Sequence, residues 1–302
     1  MRTWEVAVQG QTGRLGEAPF WDDVRQCLWF VDITGGVLHR LDPATGEITG
    51  HRVGSPLSAA IPAVDGALIV TRGNGVYRYD WDHRTTALVA AIDPPDATIQ
   101  LNDAACDPAG RLWAGTIDAN FGRGRSSLLR FSDAVPDTVL TSRGLANGIA
   151  WSPDGATMYF VDSQQRTVEI FDYDVESGSV SEPRVWLRLS ESQGFPDGLA
   201  VDAGGDVWVA VYAGAAVHHY GKEGALVEVL EFPVDRVTNV CFGGADLADL
   251  YVTTSSHRLT PAQQKAEPLA GALFVVPGAG TGQSSRRWNP ATLGHALSGP
   301  HR

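Results

Sequence analysis

The chain has little that would mark a secreted, membrane-bound or nucleic-acid-binding protein. Its 302 residues include three cysteines, Cys27, Cys106 and Cys241, with no Cys-x-x-Cys pair, so we expect reduced core thiols. No apolar run reaches the roughly 18 residues of a membrane helix, and the first residues lack the apolar core of a signal peptide. A net charge of −12 gives no electrostatic footprint for nucleic acid or an anionic membrane. We therefore expect a cytoplasmic protein that binds neither; the sequence does not fix its oligomeric state.

Common catalytic motifs are also absent. The sequence contains no Gly-x-Ser-x-Gly elbow, no His-Glu-x-x-His and no Walker loop. The adjacent His218 and His219 fall on a strand-like segment, where neighbouring side chains point to opposite faces, so we interpret them as structural. Any chemistry is therefore expected to depend on a metal and on carboxylates.

A repeat fills the chain instead. Six segments, each a polar or small residue ahead of an apolar strand-like run, recur about every 45 residues. Their leading residues are Glu17, Ala60, Asn102, Asn147, Asp197 and Asn239. Such a period, with several short strands per unit, is typical of a β-propeller. We predict an all-β, six-bladed propeller of four-stranded antiparallel blades, with residues 1–302 as a single domain.

Two further features follow from the repeat. Aromatic residues recur in the second strand of the units, for example in Leu28-Trp-Phe and Val207-Trp-Val, and we interpret them as packing between blades. The segment Trp4–Val8 precedes the first full unit, and we predict that it supplies the outer strand of the last blade and closes the ring. Two segments depart from the repeat: a basic loop, 122–126, and a short surface helix at 260–267 with Thr260 as its N-cap.

Equivalent positions of successive blades line the central channel, so the leading residues should form a ring of oxygen atoms. Glu17, Asn147 and Asp197 would supply two carboxylates and an amide oxygen, which suit one hard divalent cation. Ca²⁺ is the ion we expect, with Mg²⁺ and Mn²⁺ as alternatives; Zn²⁺ is less natural without His or Cys. The competing interpretation is that Asn147-Gly148 and Asp197-Gly198 are ordinary turn dipeptides.

Several spaced motifs resemble the gluconolactonase, senescence marker protein and luciferin-regenerating enzyme family of six-bladed propellers. They are Leu15-Gly-Glu-Ala-Pro-Phe-Trp21, Asn102-Asp103 with Asp107-Pro-Ala-Gly-Arg-Leu-Trp-Ala-Gly-Thr116, Leu145-Ala-Asn-Gly-Ile-Ala-Trp-Ser-Pro-Asp-Gly155 and Pro196-Asp-Gly-Leu-Ala-Val-Asp202. The resemblance implies a divalent-metal lactonase in which Glu17, Asn147 and Asp197 bind the metal and Asn102 holds substrate or water. Gln100 stands where relatives commonly have Arg, and Asn120 where they use an acid on sugar hydroxyls, so gluconolactone itself is in doubt as the substrate.

The expected reaction is metal-assisted opening of a lactone, with Asp197 as the proton shuttle. Two other functions fit the same pattern. One is a phosphotriesterase or aryl esterase, because an oxygen-ligated cation also polarises P=O. The other is a non-catalytic calcium-binding propeller, because a fold alone does not establish an activity.

Overall fold

The computed structural model describes residues 2–8, 13–92 and 96–293, which form six antiparallel sheets of four strands. Blade one contains β2 (Gly16–Asp22), β3 (Cys27–Asp32), β4 (Val37–Asp42) and β5 (Glu47–Arg52). Blade two contains β6 (Leu57–Pro62), β7 (Leu68–Arg72), β8 (Gly75–Asp80) and β9 (Thr85–Ala91). Blade three contains β10 (Ile99–Cys106), β11 (Leu112–Asp118), β12 (Ser126–Phe131) and β13 (Asp137–Arg143).

The remaining three blades follow the same order. Blade four contains β14 (Ala146–Trp151), β15 (Thr157–Asp162), β16 (Thr167–Asp174) and β17 (Ser179–Arg188). Blade five contains β18 (Phe195–Val201), β19 (Val207–Tyr212), β20 (Ala216–Tyr220) and β21 (Leu226–Glu231). Blade six contains β22 (Val237–Gly243), β23 (Asp249–Thr254), β24 (Phe274–Val276) and the N-terminal β1 (Glu5–Val6).

The first strand of each blade contacts the first strands of the two neighbouring blades, so β2, β6, β10, β14, β18 and β22 close a ring around a tunnel. This arrangement confirms the predicted six-bladed propeller. We call the face where these inner strands begin the upper face, and the face where they end the lower face. Because each blade is an antiparallel meander, the loops between its second and third strands also lie on the upper face.

The ring closes as the sequence predicts. Strand β1 pairs with β24 through Glu5↔Val275 and Val6↔Phe274, and the Trp4 ring meets the Phe274 ring edge-on at 5.2 Å. Only two residues of the predicted Trp4–Val8 segment pair as a strand. The N- and C-terminal parts of the chain thus share one sheet, in which β1 covers the outer edge of β24.

The packing between blades depends on buried indoles. Trp29, Trp113 and Trp208 are at most 1% exposed, and their ring N–H groups donate to Asp22, Asp107 and Asp202 at 3.1–3.2 Å. Each carboxylate belongs to the lower-face turn before the strand that carries its tryptophan. The repeated aromatics therefore serve packing, as expected.

The short helix is also where the sequence predicts it. Helix α1 (Pro261–Ala266) has Thr260 as N-cap, whose side chain accepts the N–H of Gln263. The three cysteines are unpaired thiols, Cys27 and Cys106 buried and Cys241 half-buried. Among the described residues, no helix is both long and apolar enough to cross a membrane.

The segment 277–293 crosses the lower face as a strap. It forms isolated bridges at Asp202↔Gly282 and Ala63↔Trp288, and Gln283 donates to the carbonyl of Trp151 at 3.2 Å. Trp288 is 1% exposed and belongs to the core between blades two and three. Nothing in the repeat predicts this strap, which ties several blades together beneath the tunnel.

Candidate metal centre

All six leading residues lie in the inner strands close to a β-bulge. The register shifts between Glu17 and Phe20, Leu57 and Ala59, Leu101 and Ala104, Ala146 and Ile149, Pro196 and Leu199, and Val237 and Asn239. A bulge re-aims the side chains that follow it. The bulges thus explain how polar side chains on otherwise apolar strands are directed into the tunnel at one level.

The Asn-Gly and Asp-Gly dipeptides are not turns. Asn147-Gly148 lies within β14 and Asp197-Gly198 within β18. A Cβ atom on Gly148 would lie 2.8 Å from the carbonyl oxygen of Asp197, and one on Gly198 would lie 2.0 Å from the Asn239 amide. Glycine is needed here because neighbouring inner strands approach closely. The turn interpretation is therefore wrong.

The carboxylates of Glu17, Asp103 and Asp197 lie near one another in the tunnel. Burial, then the charge of Asp103, raises the pKa of Glu17 to about 8, against hydrogen bonds from the N–H of Ala18 and from Asn239. Burial raises the pKa of Asp103 to about 6. Burial, followed by the charges of Glu17 and Asp103, raises the pKa of Asp197 well above its usual range. Within the described parts of the chain, no Arg, Lys or His forms an ion pair with any of the three.

Two amides connect this cluster. Asn239 Nδ2 donates to Glu17 Oε2 at 2.9 Å and to Asp103 Oδ2 at 3.4 Å. Asn147 Nδ2 donates at 2.8 Å to Ser163 Oγ, which in turn donates at 2.6 Å to the carbonyl of Pro196. The Asn147 amide also donates a hydrogen bond to the Asp197 carboxylate, which opposes the rise in the pKa of that group, and its oxygen accepts from Asn102 Nδ2. Asn239 and Asn147 thus both donate to carboxylates, and Asn147 in addition offers an oxygen.

The structure brings four of the predicted site residues together and leaves two apart from them. Glu17, Asn102, Asn147 and Asp197 share the network just described. Gln100 lies in β10 opposite Ile117, upstream of the bulge. Asn120 lies in the exposed upper-face loop after β11, where its N–H donates to Asp118. Neither Gln100 nor Asn120 contacts the carboxylates.

Sequence reasoning missed Asp103 and Ser163. The signal for Asp103 was present, since it adjoins Asn102, but strict alternation along a strand would turn one of the two away from the tunnel. The bulge in β10 removes that alternation. Ser163 follows the end of β15 and carries no motif, so only the fold places it behind Asn147.

A cavity of about 180 Å³ occupies the tunnel between this centre and the strap. Asp103 and Asn239 lie at its upper end, and its lower end is lined by the strap residues 283–286. Its wall is otherwise largely apolar, with Phe20, Ile61 and Trp151 among the lining residues. The strap thus separates the centre from the lower face.

A second cluster is formed by Asp202, Asp206 and His219, whose possible ligand atoms all lie within 4.8 Å of one another. The three tunnel carboxylates do not come this close together. The residues of this cluster already have other hydrogen-bond partners, however. Asp202 accepts the N–H groups of Gly204 and Asp206 and the indole of Trp208, and Asp206 contacts His219 Nε2 at 3.1 Å. This cluster therefore stabilises a turn and its tryptophan.

The fold and the site define the class: a six-bladed propeller with an oxygen-lined centre in its tunnel. Residues 15–256 match the SMP-30/Gluconolactonase/LRE-like region, and the chain belongs to this family. It is 35% identical over 280 residues to pentonolactonase XacC of Haloferax volcanii, covering 91% of this chain and 94% of that protein.

Two further relatives support the same family assignment. Regucalcin of Xenopus laevis is 31% identical over 283 residues, covering 90% of this chain and 94% of the relative. The crystal structure of a calcium-binding protein, regucalcin, from Agrobacterium tumefaciens superposes with a TM-score of 0.91 at 25% identity, covering 95% and 97% of the two chains. The resemblance drawn from the sequence motifs is thus confirmed.

Proposed function

We propose that this protein is a divalent-cation-dependent hydrolase of sugar lactones. The observation that carries the proposal is the meeting of Glu17, Asp103 and Asp197 in the tunnel, where no cationic side chain of residues 2–8, 13–92 or 96–293 forms an ion pair with them. Three neighbouring carboxylates are costly in a buried site unless a cation or protons offset their charge. A pentonolactonase among the relatives supports a lactone as the substrate.

The donor set fits a hard divalent ion. Glu17, Asn147 and Asp197 would hold it through oxygen atoms alone, and two carboxylates would balance its charge. Ca²⁺ is the ion we propose, supported by a relative described as a calcium-binding protein; Mg²⁺, Mn²⁺ and Zn²⁺ are the alternatives for metal analysis to separate. When bound, such an ion polarises a carbonyl and lowers the pKa of water.

The protein's own residues then supply position and proton transfer. Asn102 orients substrate or water, because its amide already lies beside Asn147. Asp197 takes the proton of the attacking water as the new C–O bond forms, and returns it to the ring oxygen as the ring C–O bond breaks, which yields the hydroxy acid. Gln100 and Asn120 are the proposed substrate-side residues nearer the upper face, and both are uncharged.

The proposal is tested on protein freed of metal by chelation and then reloaded. We expect elemental analysis to find about one divalent ion per chain, and a pH-indicator assay on five- and six-membered sugar lactones to show turnover that chelation abolishes and the ion restores. Turnover that survives complete chelation would contradict the metal-dependent reaction.

The calcium-binding relative supports a second candidate, a propeller that binds Ca²⁺ without catalysis. The same experiment separates it: calcium binding by calorimetry with no turnover of any lactone would favour the second candidate. An organophosphate and an aryl ester in the substrate panel test the remaining hydrolase reactions of such a centre.

A further inference from the structure

Three arginines that form no ion pair with the described residues lie on the upper face around His257. Arg14 precedes β2, Arg236 lies directly before β22, and Arg258 follows β23. We call these three residues the basic rim. In the described part of the chain none of them forms an ion pair, although the protein carries a net charge of −12.

Backbone hydrogen bonds hold the basic rim close to the start of the inner strands. The N–H of Ser256 donates to the carbonyl of Arg14 at 2.9 Å, and the N–H of Ser255 donates to the carbonyl of Arg236 at 2.9 Å. The guanidinium of Arg236 donates to the carbonyl of His257 and lies 5.6 Å from the centre of the Tyr212 ring. Arg14 and Arg236 therefore stand three residues before Glu17 and Asn239, which belong to the candidate metal centre.

Arg258 extends across the mouth of the tunnel. Its guanidinium carbon lies 5.5 Å from the centre of the Phe121 ring. Arg258 belongs to blade six and Phe121 to the loop of blade three, and these blades are opposite each other in a ring of six. Phe121 is 51% exposed, and it adjoins Asn120. The contact therefore holds a positive charge above the centre, on the route by which a ligand enters from the upper face.

The charges of the basic rim act on two neighbouring side chains, Tyr212 and His257, and the charge of Asp197 in the centre also acts on Tyr212. Burial raises the pKa of Tyr212; Arg236 and Arg258 oppose this shift, and the charges of Asp197 and Asp235 add to it. Burial lowers the pKa of His257; the charges of Arg258, Arg14 and Arg236 add to this shift, and the charge of Asp32 opposes it. The Tyr212 phenol thus lies in the electrostatic field of Asp197 and of two members of the basic rim.

We propose that the basic rim recognises an anionic substituent, carboxylate or phosphate, on the incoming lactone, so that acidic sugar lactones are the preferred substrate class. This inference rests on the proposed function. A guanidinium with free N–H groups matches the oxygen pairs of both anions, and a local positive field at a cleft raises the encounter rate of an anion even when the whole protein is acidic.

The test compares three lactones that differ only at the carbon farthest from the carbonyl: a neutral alcohol, the matching carboxylate and the matching phosphate. With the metal-loaded protein we expect the anionic lactones to have KM values about 5- to 10-fold lower than the neutral one, an advantage that shrinks between about 0.05 and 0.5 M salt. The carboxylate and phosphate arms show which anion is recognised.

Arg258→Gln should raise KM for the anionic lactones several-fold more than for the neutral lactone. Any change in kcat should be by the same factor for all three lactones. Arg84→Gln is the matched control. Arg84 is also exposed, has a φ of +56° against +60° for Arg258 and forms no ion pair with the described residues, but it lies in the lower-face turn between β8 and β9. It should leave all three KM values unchanged.

Equal KM values for neutral and anionic lactones, with no selective effect of Arg258→Gln, would overturn the inference and leave the lactone hydrolase intact. If the metal-loaded protein hydrolysed no lactone at all, the proposed function would fall, and calorimetry would decide the inference. The ring-opened dicarboxylate should then bind more tightly than the monocarboxylate in a manner that depends on Arg258, and equal affinities would refute the basic rim.

Discussion

The two ends of the tunnel bury carboxylates under opposite conditions. At the lower end, Asp22 is fully buried, which by itself would raise its pKa. Hydrogen bonds from Arg287, Arg25 and Trp29 outweigh burial and hold the pKa of Asp22 at about 2. The strap that seals this end supplies the guanidinium of Arg287, which contacts Asp22 and Asp23.

At the upper end, burial acts on Glu17 with a different outcome. Burial and the charge of Asp103 raise the pKa of Glu17 to about 8, because its donors are one backbone N–H and one neutral amide. Arg14, Arg236 and Arg258, on the same face, form no ion pair with the described acids of the centre. Burial alone therefore does not identify a candidate functional carboxylate. A better candidate is a buried carboxylate that lies among other carboxylates and forms no ion pair with the described residues.

The largest effect is expected from changing one carboxylate at each end. Asp197→Asn should lower metal-dependent lactone turnover by about 10²–10³-fold or more, because it removes a ligand and the proton carrier together. Its metal-free form should melt no lower than the parent, because the raised pKa of Asp197 shows that the fold disfavours its charge, and Asn carries none. Initial rates and thermal unfolding of the metal-free protein check both parts.

Asp22→Asn is the matched change at the lower end, and it should behave in the opposite way. It removes the charge that Arg287 and Arg25 contact, so unfolding should become easier by about 3–5 kcal/mol, while calcium affinity is unchanged. A stable Asp22→Asn protein, or an unfolded Asp197→Asn protein, would contradict the contrast between the two ends.

Removing the strap's anchor should mainly affect stability. Trp288→Ala opens a cavity in the core between blades two and three, and we expect a loss of about 3–5 kcal/mol in the free energy of unfolding by denaturant. Metal affinity of the folded fraction should be kept, because the strap lies below the tunnel cavity. Loss of metal binding in a protein that remains folded would show that the lower end also shapes the centre.

A smaller effect should appear in the pH dependence of the metal-free protein. The raised pKa of Glu17 means that the folded state holds this proton more tightly than the unfolded chain, so stability should fall as pH rises from 4.5 to about 8. The lowered pKa of Asp22 works at the acid side, where stability should fall as pH drops from 3.8 to about 2.

Denaturant unfolding at several pH values measures both losses. Glu17→Gln should reduce the decline above pH 4.5, to which the raised pKa values of Asp103 and Asp197 also contribute, and should leave the acid-side decline in place. Added Ca²⁺ should also suppress the decline, because the ion replaces the protons as the neutralising charge. A metal-free parent protein whose stability does not change between pH 5 and 8 would refute this account of Glu17.

Much of the fold and part of the centre could be predicted from the sequence because both follow the repeat. A period of about 45 residues defines blades, and residues at one phase of it, such as Glu17 and Asn147, must face the same tunnel. The glycines after Asn147 and Asp197 were ambiguous, since turns and close strand contacts both favour glycine. Only the structure shows the approach of β14, β18 and β22 that excludes a side chain.

The other features depend on contacts between segments far apart in the chain. Asp103 faces the tunnel because a bulge breaks the alternation of β10. Ser163 supports Asn147 within blade four and donates to the carbonyl of Pro196 in blade five. The basic rim assembles from three separate upper-face segments, and the contact of Arg258 with Phe121 spans opposite blades. No local pattern encodes such distances, so these features could not be predicted without the fold.

The smallest effect is expected from the amide that orients Asn147. Asn102 Nδ2 donates to the carbonyl of Ala146 at 2.9 Å and to the Asn147 amide oxygen, so it positions a proposed ligand from the neighbouring blade. Asn102→Ala should weaken calcium binding by about tenfold, as removal of a ligand's supporting contact commonly does, with little change in melting temperature. Asn74→Ala, in the upper-face loop between β7 and β8, is the control and should leave affinity unchanged. Calorimetry that gives equal affinities for Asn102→Ala and the parent would show that Asn147 is held in position without the contact from Asn102.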